Sequence, residues 1–462
     1  MKNKAILLII PTTRTRNLII DVINRNYTPI VIFPNYDAFP ELANIVPKWL
    51  MDNFEKSTME NYVKKYKIPS FKIEKNIKLF CEKISKQYDV IGAISCSDLS
   101  IKLGAQICDE LKLKNCCNPS EFANNATDKY WVNKKLEENG NRAIKTFVVE
   151  RKYSIAKIEA YFQNKYPLYC KPVSGAGGLG TFKINEKKEL EEKLNFLFND
   201  MFKKQTSQKI LIQEFVDGEF FIVNFISING EHFFTDAWQQ KRMLTKKSGY
   251  IWGNAKYITN YSTPTIIRLI QYGFNVLSSC NRKNGASHLE MIIDNDGPIL
   301  IEANWRIMGS SIYLDDKLIG SKYSINTCAL ESILNPEKLK KDISILNNSY
   351  YYCSTTINSK IDKTLTLIQF NVDYIFKNLK TFNKNIPYFK KNSKFNFSNN
   401  LEDALSEIEF KGKNENEVKK DVELADDILE NAFDLVVEYK EKAPIKQTKN
   451  KQDINDIKNY FK

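Results

Sequence analysis

Two continuous apolar runs, Ala5–Ile10 and Pro29–Phe33, lie near the start of the chain, with helical spacing between them over Arg16–Asn26. A strand with no polar alternation must be buried on both faces, and strands of a parallel sheet covered by helices meet that condition. The rhythm continues with helical spacing at Ile77–Gln87, an apolar run at Val90–Ser95, and a helix from about Ser97, with Ser97 and Asp98 as caps. Residues 1–120 are therefore expected to form an open α/β domain. The turn after the first run, Pro11-Thr12-Thr13-Arg14, lacks the GxGxxG of a dinucleotide site.

The pattern changes from residue 121. Helices are expected at Asn125–Asn139, Ile155–Asn164 and Glu186–Phe202, and strands at Ile144–Val149, Leu168–Val173 and Thr181–Ile184. Longer strands follow at Ile210–Val216 and Glu219–Ile228. Asn229-Gly230, a two-residue hairpin signal, then leads into a return strand, Glu231–Trp238. After a helix at Thr265–Ser279, a second hairpin pairs Ser287–Ile293 with Pro298–Asn304 around Asp294-Asn295-Asp296-Gly297. A further α/β segment over 336–440 carries a strand near Thr364–Asn371 and a helix near Glu417–Tyr439. Residues 441–462 are charged and read as a mobile tail.

Composition narrows the function. A chain of 462 residues suits several domains. The net charge is +13, but the lysines are spread from end to end with no arginine cluster or basic-aromatic module. Nucleic acid is therefore not the expected partner, and a basic surface instead favours small anionic substrates. No apolar run approaches the 18 or so residues of a membrane span, and the first run lacks the cleavage site of a signal peptide. Nine cysteines without a CxxC pair read as reduced, mostly buried thiols of a cytoplasmic protein. Two histidines, His232 and His288, exclude a His-rich metal site and any scheme needing several imidazoles.

Three segments carry chemistry. In Lys171-Pro-Val-Ser-Gly-Ala-Gly-Gly-Leu-Gly180, glycines after a strand let backbone N–H groups approach an anion, and Lys171 adds a point charge. Taken alone, the segment also fits a flexible hairpin turn. In Ile212-Gln213-Glu214-Phe215-Val216-Asp217-Gly218-Glu219, a strand leading into a polar connection can hold a base edge through Gln213 and a sugar through Glu219. It also fits a surface strand ending in a turn. The third segment is the most specific: Glu290 on one hairpin strand and Glu302-Ala-Asn304-Trp-Arg306 on its partner. Glu302, Asn304 and Arg306 alternate onto one face. Two carboxylates among apolar neighbours repel unless a cation joins them. Mg²⁺ is the natural hard ion, and Arg306 would neutralise a transferring phosphoryl group. A structural Glu302–Arg306 ion pair is the alternative.

The order and spacing of these segments resemble the ATP-grasp superfamily, and most closely its L-amino acid ligases, over most of the chain. The resemblance implies an α/β protein with an N-terminal Rossmann-like (pre-ATP-grasp) domain over 1–120. An ATP-grasp domain would follow over 121–335, with a small lid subdomain at about 143–212, and then a C-terminal α+β segment over 336–440. It also implies ATP with Mg²⁺, or Mn²⁺ in its place. Lys129, next to Asp128 at a helix start, and Lys171 would reach the phosphates, with Ser174, Gly175, Gly177 and Gly178 in the covering loop. Gln213, Glu214 and Val216 would line the adenine, and Glu219 the ribose. Glu290, Glu302 and Asn304 would hold the metal, and Arg306 would stabilise an acyl phosphate and its transition state. Trp305 departs from the proline common at that place, and Gln213 from the acid of some relatives. Asp236, Trp238, Arg242, Trp252, His288, Trp305 and Ser310 are candidate pocket residues, each also readable as structural. The implied activity is ligation of a carboxylate to an amine, with ADP and phosphate released and amino acids as substrates. A homodimer is compatible with it. A carboxylase or phosphotransferase on the same fold, or a non-catalytic nucleotide-binding protein, are the competing readings.

Overall fold

The computed structural model describes residues 2–11, 15–34, 63–73, 76–175, 178, 180–203, 208–245, 250–308, 323–343, 350–398 and 403–441; the expected tail lies outside them except for Glu441, which ends a strand. The N-terminal runs become β1 (Asn3–Ile9) and β2 (Thr28–Pro34) on either side of α1 (Arg16–Asn24). They are followed by β3 (Ser70–Ile73), α2 (Ile77–Gln87), β4 (Tyr88–Ser95) and α3 (Ile101–Glu110). The sheet is parallel, in the order β3-β2-β1-β4. Alternation along β1 sends Leu7 and Ile9 toward Phe80, Ile84, Leu103 and Ile107 on one side. Ile6 and Leu8 go toward Leu18, Ile19 and Val22 on the other. That two-sided burial is what the unbroken apolar runs require.

The helix expected over Asn125–Asn139 begins later, as α5 (Lys129–Glu138), after a separate short helix, α4 (Ser120–Asn125). The reason is local. The Asp128 carboxylate accepts from the N–H groups of Tyr130 and Trp131 at 2.8 and 3.0 Å, so it caps a new helix instead of continuing the old one. Next come β5 (Thr146–Val149), α6 (Ile155–Tyr161), β6 (Leu168–Pro172), β7 (Phe182–Ile184), α7 (Lys187–Phe196) and β8 (Ile210–Glu214). They build a four-stranded antiparallel sheet, β5-β8-β6-β7, over a core of Ile158, Cys170, Leu190, Leu194, Leu197 and Ile212.

The long strands are β9 (Glu219–Ile228) and β10 (Glu231–Leu244), followed by β11 (Tyr250–Tyr257), α8 (Pro264–Ser279), β12 (Gly285–Asp294) and β13 (Gly297–Asn304). Asn229 and Gly230, with φ of 53° and 87°, make the tight turn that the Asn-Gly pair predicts. After them come α9 (Ile325–Leu334) and α10 (Pro336–Asp342). Helix α9 serves two cores. Ile325, Cys328 and Ala329 pack with Ile226 and Ile228 of β9, while Leu330 and Ile333 pack with Ile6 and Leu8 of β1.

The described residues divide into two compact units. The first takes those up to Ala237 together with 260–308 and 323–343, and its part of the large sheet runs β13-β12-β9-β10. The second takes 238–259 and residues from 350 onward. It contains β14 (Tyr351–Ile357), β15 (Leu365–Phe370), α11 (Val372–Phe376), β16 (Phe382–Pro387), β17 (Lys394–Phe395), β18 (Ser406–Gly412), α12 (Glu415–Asn431), α13 (Phe433–Val436) and β19 (Val437–Glu441). Its strands order as β10-β11-β14-β18-β16 and as β17-β15-β19. Val418, Val422, Ala425 and Ile428 of α12 cover Ile408 and Phe410. The helix expected over Glu417–Tyr439 ends at Asn431, and Val437–Glu441 pairs with β15 instead. Phe433–Val436 forms the short helix α13, and the chain turns extended from Val437.

Helix α8 seats Gly273 directly on the buried Phe225 ring of β9; an added Cβ would lie 2.2 Å from its Cζ. Gly273→Ala is expected to destabilise the protein by roughly 1–3 kcal/mol through overpacking, read as a lower urea midpoint. An unchanged midpoint would mean that α8 does not pack there.

Candidate functional site

The β12–β13 hairpin sets Glu290 opposite Glu302 and His288 opposite Asn304. Its turn is held from two sides. The Asp294 carboxylate accepts from the N–H groups of Asp296 and Gly297, and Arg142 grips both Asp294 oxygens at 2.7 Å while also donating to the Gly297 carbonyl. The Tyr272 hydroxyl of α8 donates to the Arg142 carbonyl at 2.6 Å and accepts from the Leu300 N–H at 3.1 Å. The hairpin that aligns the two glutamates is thus fixed at its far end.

Two lysines distant in sequence converge on the near end. The start of α5 is stitched to the end of β6: the Lys129 N–H donates to the Val173 carbonyl, and the Ser174 hydroxyl to the Thr127 carbonyl. The Lys129 ammonium then lies 3.2 Å from Glu302 Oε1 and donates to the Gly175 carbonyl at 3.0 Å. Lys171, buried on β6, donates to the Ile301 carbonyl of β13 at 2.8 Å. Ser174 and Gly175 lie at the start of the glycine-rich loop, Gly178 and Gly180 take φ of 70° and 72°, and Gly177 lies outside the described residues.

The connection after β8 crosses β12 closely: a Cβ on Gly218 would lie 2.4 Å from the Ile293 carbonyl oxygen. Gln213 is buried, and its amide donates to Thr146 Oγ1 at 2.8 Å. Thr146 in turn donates to the Ile144 carbonyl and accepts from Asn133. One Gln213 amide hydrogen is therefore spent inside the protein. The Glu214 carboxylate accepts from the Lys145 N–H, Glu219 is exposed, and the Val216 N–H has no partner among the described residues.

The alternative ion pair of Arg306 with Glu302 is not the contact found: strand β13 ends at Asn304, and the guanidinium pairs with Asp98. Its Nε donates to Asp98 Oδ2 at 2.7 Å, Nη1 to the Ile307 carbonyl at 2.9 Å, and Nη2 to Asn304 Oδ1 at 3.2 Å. Asp98 opens a short 3-10 turn directly after β4, where the sequence showed only a helix cap. Its one further signal was its place just past the carboxyl end of a parallel strand, where open α/β sheets collect functional groups.

The candidate pocket residues scatter. In the first unit Asp236 accepts from Asn224 Nδ2 at 2.6 Å and from the Thr235 hydroxyl at 2.9 Å. Asn224 Oδ1 faces His288 Nδ1 at 2.9 Å, and His288 Nε2 lies 3.7 Å from Glu290 Oε1. The Asn224 amide gives its N–H to Asp236, so its carbonyl oxygen must receive the Nδ1–H of His288. Trp305 is buried, donates Nε1–H to the Ala126 carbonyl and packs edge-on against Phe122. In the second unit Trp238 is fully buried against Tyr257 and Tyr352, and Arg242 stands opposite Trp252 in the β10–β11 ladder. Ser310 lies outside the described residues. All nine cysteines are free and seven are buried. Burial pushes the Cys96 and Cys280 thiols up to about 12, so neither supplies a thiolate near neutral pH. His232 is pushed down to about 4 by burial and neighbouring cations and stays neutral.

Among the described residues no three His, Cys, Asp or Glu side chains cluster as a ready metal cage. Two facing carboxylates suit an ion that completes its shell with phosphate oxygens and water, as Mg²⁺ does. The arrangement of two facing acids, two lysines, a glycine-rich loop and a braced arginine suits binding of a polyphosphate and charge neutralisation in phosphoryl transfer.

Residues 126–310 match the ATP-grasp domain family. Over 257 residues it is 25% identical to dapdiamide A synthase of Enterobacter agglomerans, a match that takes in 55% of this chain and 59% of that protein. The chain thus spans under two thirds of that relative. Its fold is similar to the L-amino acid ligase from Bacillus licheniformis, with a TM-score of 0.68, 16% identity, and coverage of 92% of this chain and 98% of that one. It is also similar to phosphoribosylglycinamide synthetase from Anaerococcus prevotii, with a TM-score of 0.61, 16% identity, and coverage of 95% and 100%. No helix among the described residues is long and apolar enough to cross a membrane.

The Arg142 grip holds the Asp294 carboxyl below the usual carboxylate range. Its contribution is complete above the unfolded value of about 3.9 and is lost as pH falls through the lowered folded value. Asp294→Asn is expected to cost roughly 1–3 kcal/mol near neutral pH, with the difference closing below pH ~4. Urea melts of both proteins along a pH series check this. A gap that stays constant into acid would mean that the pair does not brace the turn.

Proposed function

We propose that the protein is an ATP-dependent carboxylate–amine ligase that joins amino acids through an acyl phosphate. The observation that supports this reading most is the register of Glu290 against Glu302, with Lys129 and Lys171 converging on the same strand. The names of its relatives point the same way: an L-amino acid ligase in fold and dapdiamide A synthase in sequence.

In this reading Lys129, Lys171 and the backbone N–H groups of Ser174, Gly175 and Gly178 bind the phosphates of ATP. The Val216 N–H and the backbone of Glu214 take the adenine edge, and Glu219 takes the ribose. Glu290, Glu302 and the remaining lone pair of Asn304 Oδ1 would hold Mg²⁺, which when bound draws charge from the γ-phosphate. The substrate carboxylate attacks the γ-phosphorus, the bond to the β-bridging oxygen breaks, and ADP leaves. An amine then attacks the acyl carbon, phosphate departs, and the amine proton passes to solvent. Arg306 faces the oxygens that gain charge in both steps. Alignment and neutralisation supply the rate, and no side-chain nucleophile is needed.

The test is ADP and phosphate release from Mg-ATP against a panel of amino acids, singly and in pairs, with the spent nucleotide separated by chromatography. ADP is expected, and only with amino acid substrates present. AMP as the main product would mean adenylate chemistry. Turnover that needs bicarbonate instead of an amine would mean a carboxylase.

A further inference from the structure

The direction of the Arg306 guanidinium is set by a residue outside the ATP-grasp domain match, and that residue is Asp98. A guanidinium has five N–H donors. One is on Nε and goes to Asp98. One on Nη1 goes to the Ile307 carbonyl, and one on Nη2 goes to Asn304. Two donors remain among the described residues, one on each terminal nitrogen. An arginine left to itself can meet an oxyanion side-on, through Nε and one Nη, or end-on, through both Nη groups. With Nε taken at 2.7 Å by a carboxylate, only the end-on fork is open. Asp98 is well placed for this. It stands where β4 gives way to the 3-10 turn, on a rigid parallel sheet, and both partners are largely withdrawn from water, with side-chain exposures of 17% and 26%. Ser100 braces the same turn: its hydroxyl donates to the Ser97 carbonyl at 2.6 Å and accepts from the Ser97 N–H at 3.2 Å.

We infer that Asp98 is a positioning residue for the reaction. It holds the Arg306 guanidinium so that its two terminal N–H groups form an end-on fork toward the oxygens that gain charge in phosphoryl and acyl transfer. The inference rests on the ligase reading above. It gives the N-terminal α/β domain a part in catalysis through a single ion pair.

The experiment is a double-mutant cycle of Asp98→Ala and Arg306→Ala. It uses the full chain with Mg-ATP and the most active amino acid pair of the panel, followed with radiolabelled ATP so that slow rates stay countable. In the wild-type background Asp98→Ala should lower kcat roughly 10- to 100-fold, the scale of misplaced catalytic groups, with the Kd for ATP unchanged. In the Arg306→Ala background the same change should cost nothing further, because Asp98 acts only through Arg306. Asp98→Asn keeps an acceptor for Nε without its charge and should lose less. It carries the same cycle if the alanine variant does not fold. An equal loss in both backgrounds, or no loss in the wild-type background, overturns the inference. Full turnover in Arg306→Ala alone would instead remove the Arg306 assignment of the ligase reading and, with it, any role for Asp98.

Discussion

Two carboxylates face each other across one hairpin, and the rest of the first unit is arranged around that fact. Unit charges 4 Å apart repel by about 4 kcal/mol at an effective dielectric of about 20, so Glu290 and Glu302 cannot share a strand pair without compensation. Part of it is visible in the ammonium of Lys129 at 3.2 Å from Glu302. An ion pair of two partly exposed groups is a modest offset. In the proposed reading a divalent cation with a polyphosphate would be a further partner for the two acids.

Each neighbouring element serves to keep that pair in register. Arg142 and Tyr272 hold the hairpin turn, and the junction of α5 with β6 brings Lys129 in. A buried polar chain from Asp236 through Asn224 to His288 ends beside Glu290. A chain of this kind fixes the imidazole tautomer and links two expected pocket residues, Asp236 and His288, through Asn224. Helix α9 joins the packing of β1 to that of β9, so the strand end that carries Asp98 comes within reach of Arg306. The same guanidinium also touches Asn304, so bracing the arginine and bracing a candidate metal ligand are one event.

Much of this was legible from residue patterns. The unbroken apolar runs foretold the parallel sheet, because a strand without alternation has no solvent face. Asn229-Gly230 foretold its turn, because both positions need positive φ. The period-two rule set Glu302 and Asn304 on one face. Less legible were events decided by competition. The helix expected from Asn125 starts only at Lys129, because the Asp128 side chain captures two backbone N–H groups and caps it there. The helix expected to run to Tyr439 stops at Asn431, and after the short α13 the chain joins β15 as a strand from Val437. Long-range pairs were invisible: Arg306 with Asp98 is 208 residues apart in sequence, and no local spacing predicts such a contact. Equally invisible was the bond from the Trp305 indole N–H to the Ala126 carbonyl, 179 residues away.

The proposed chemistry depends most on Glu290 and Glu302 holding a divalent cation together with nucleotide phosphates. Binding of Mn²⁺, followed by paramagnetic resonance in the presence of ADP, tests it without any knowledge of the amino acid substrates. Wild-type protein is expected to bind the ion tightly only with ADP. Glu302→Gln, which keeps shape and removes one charge, is expected to weaken ion binding on the order of 10- to 100-fold while the protein stays folded. Unaltered Mn²⁺ binding in that variant, with ADP still bound, would contradict the account and leave the two glutamates as structural partners of Lys129 and His288.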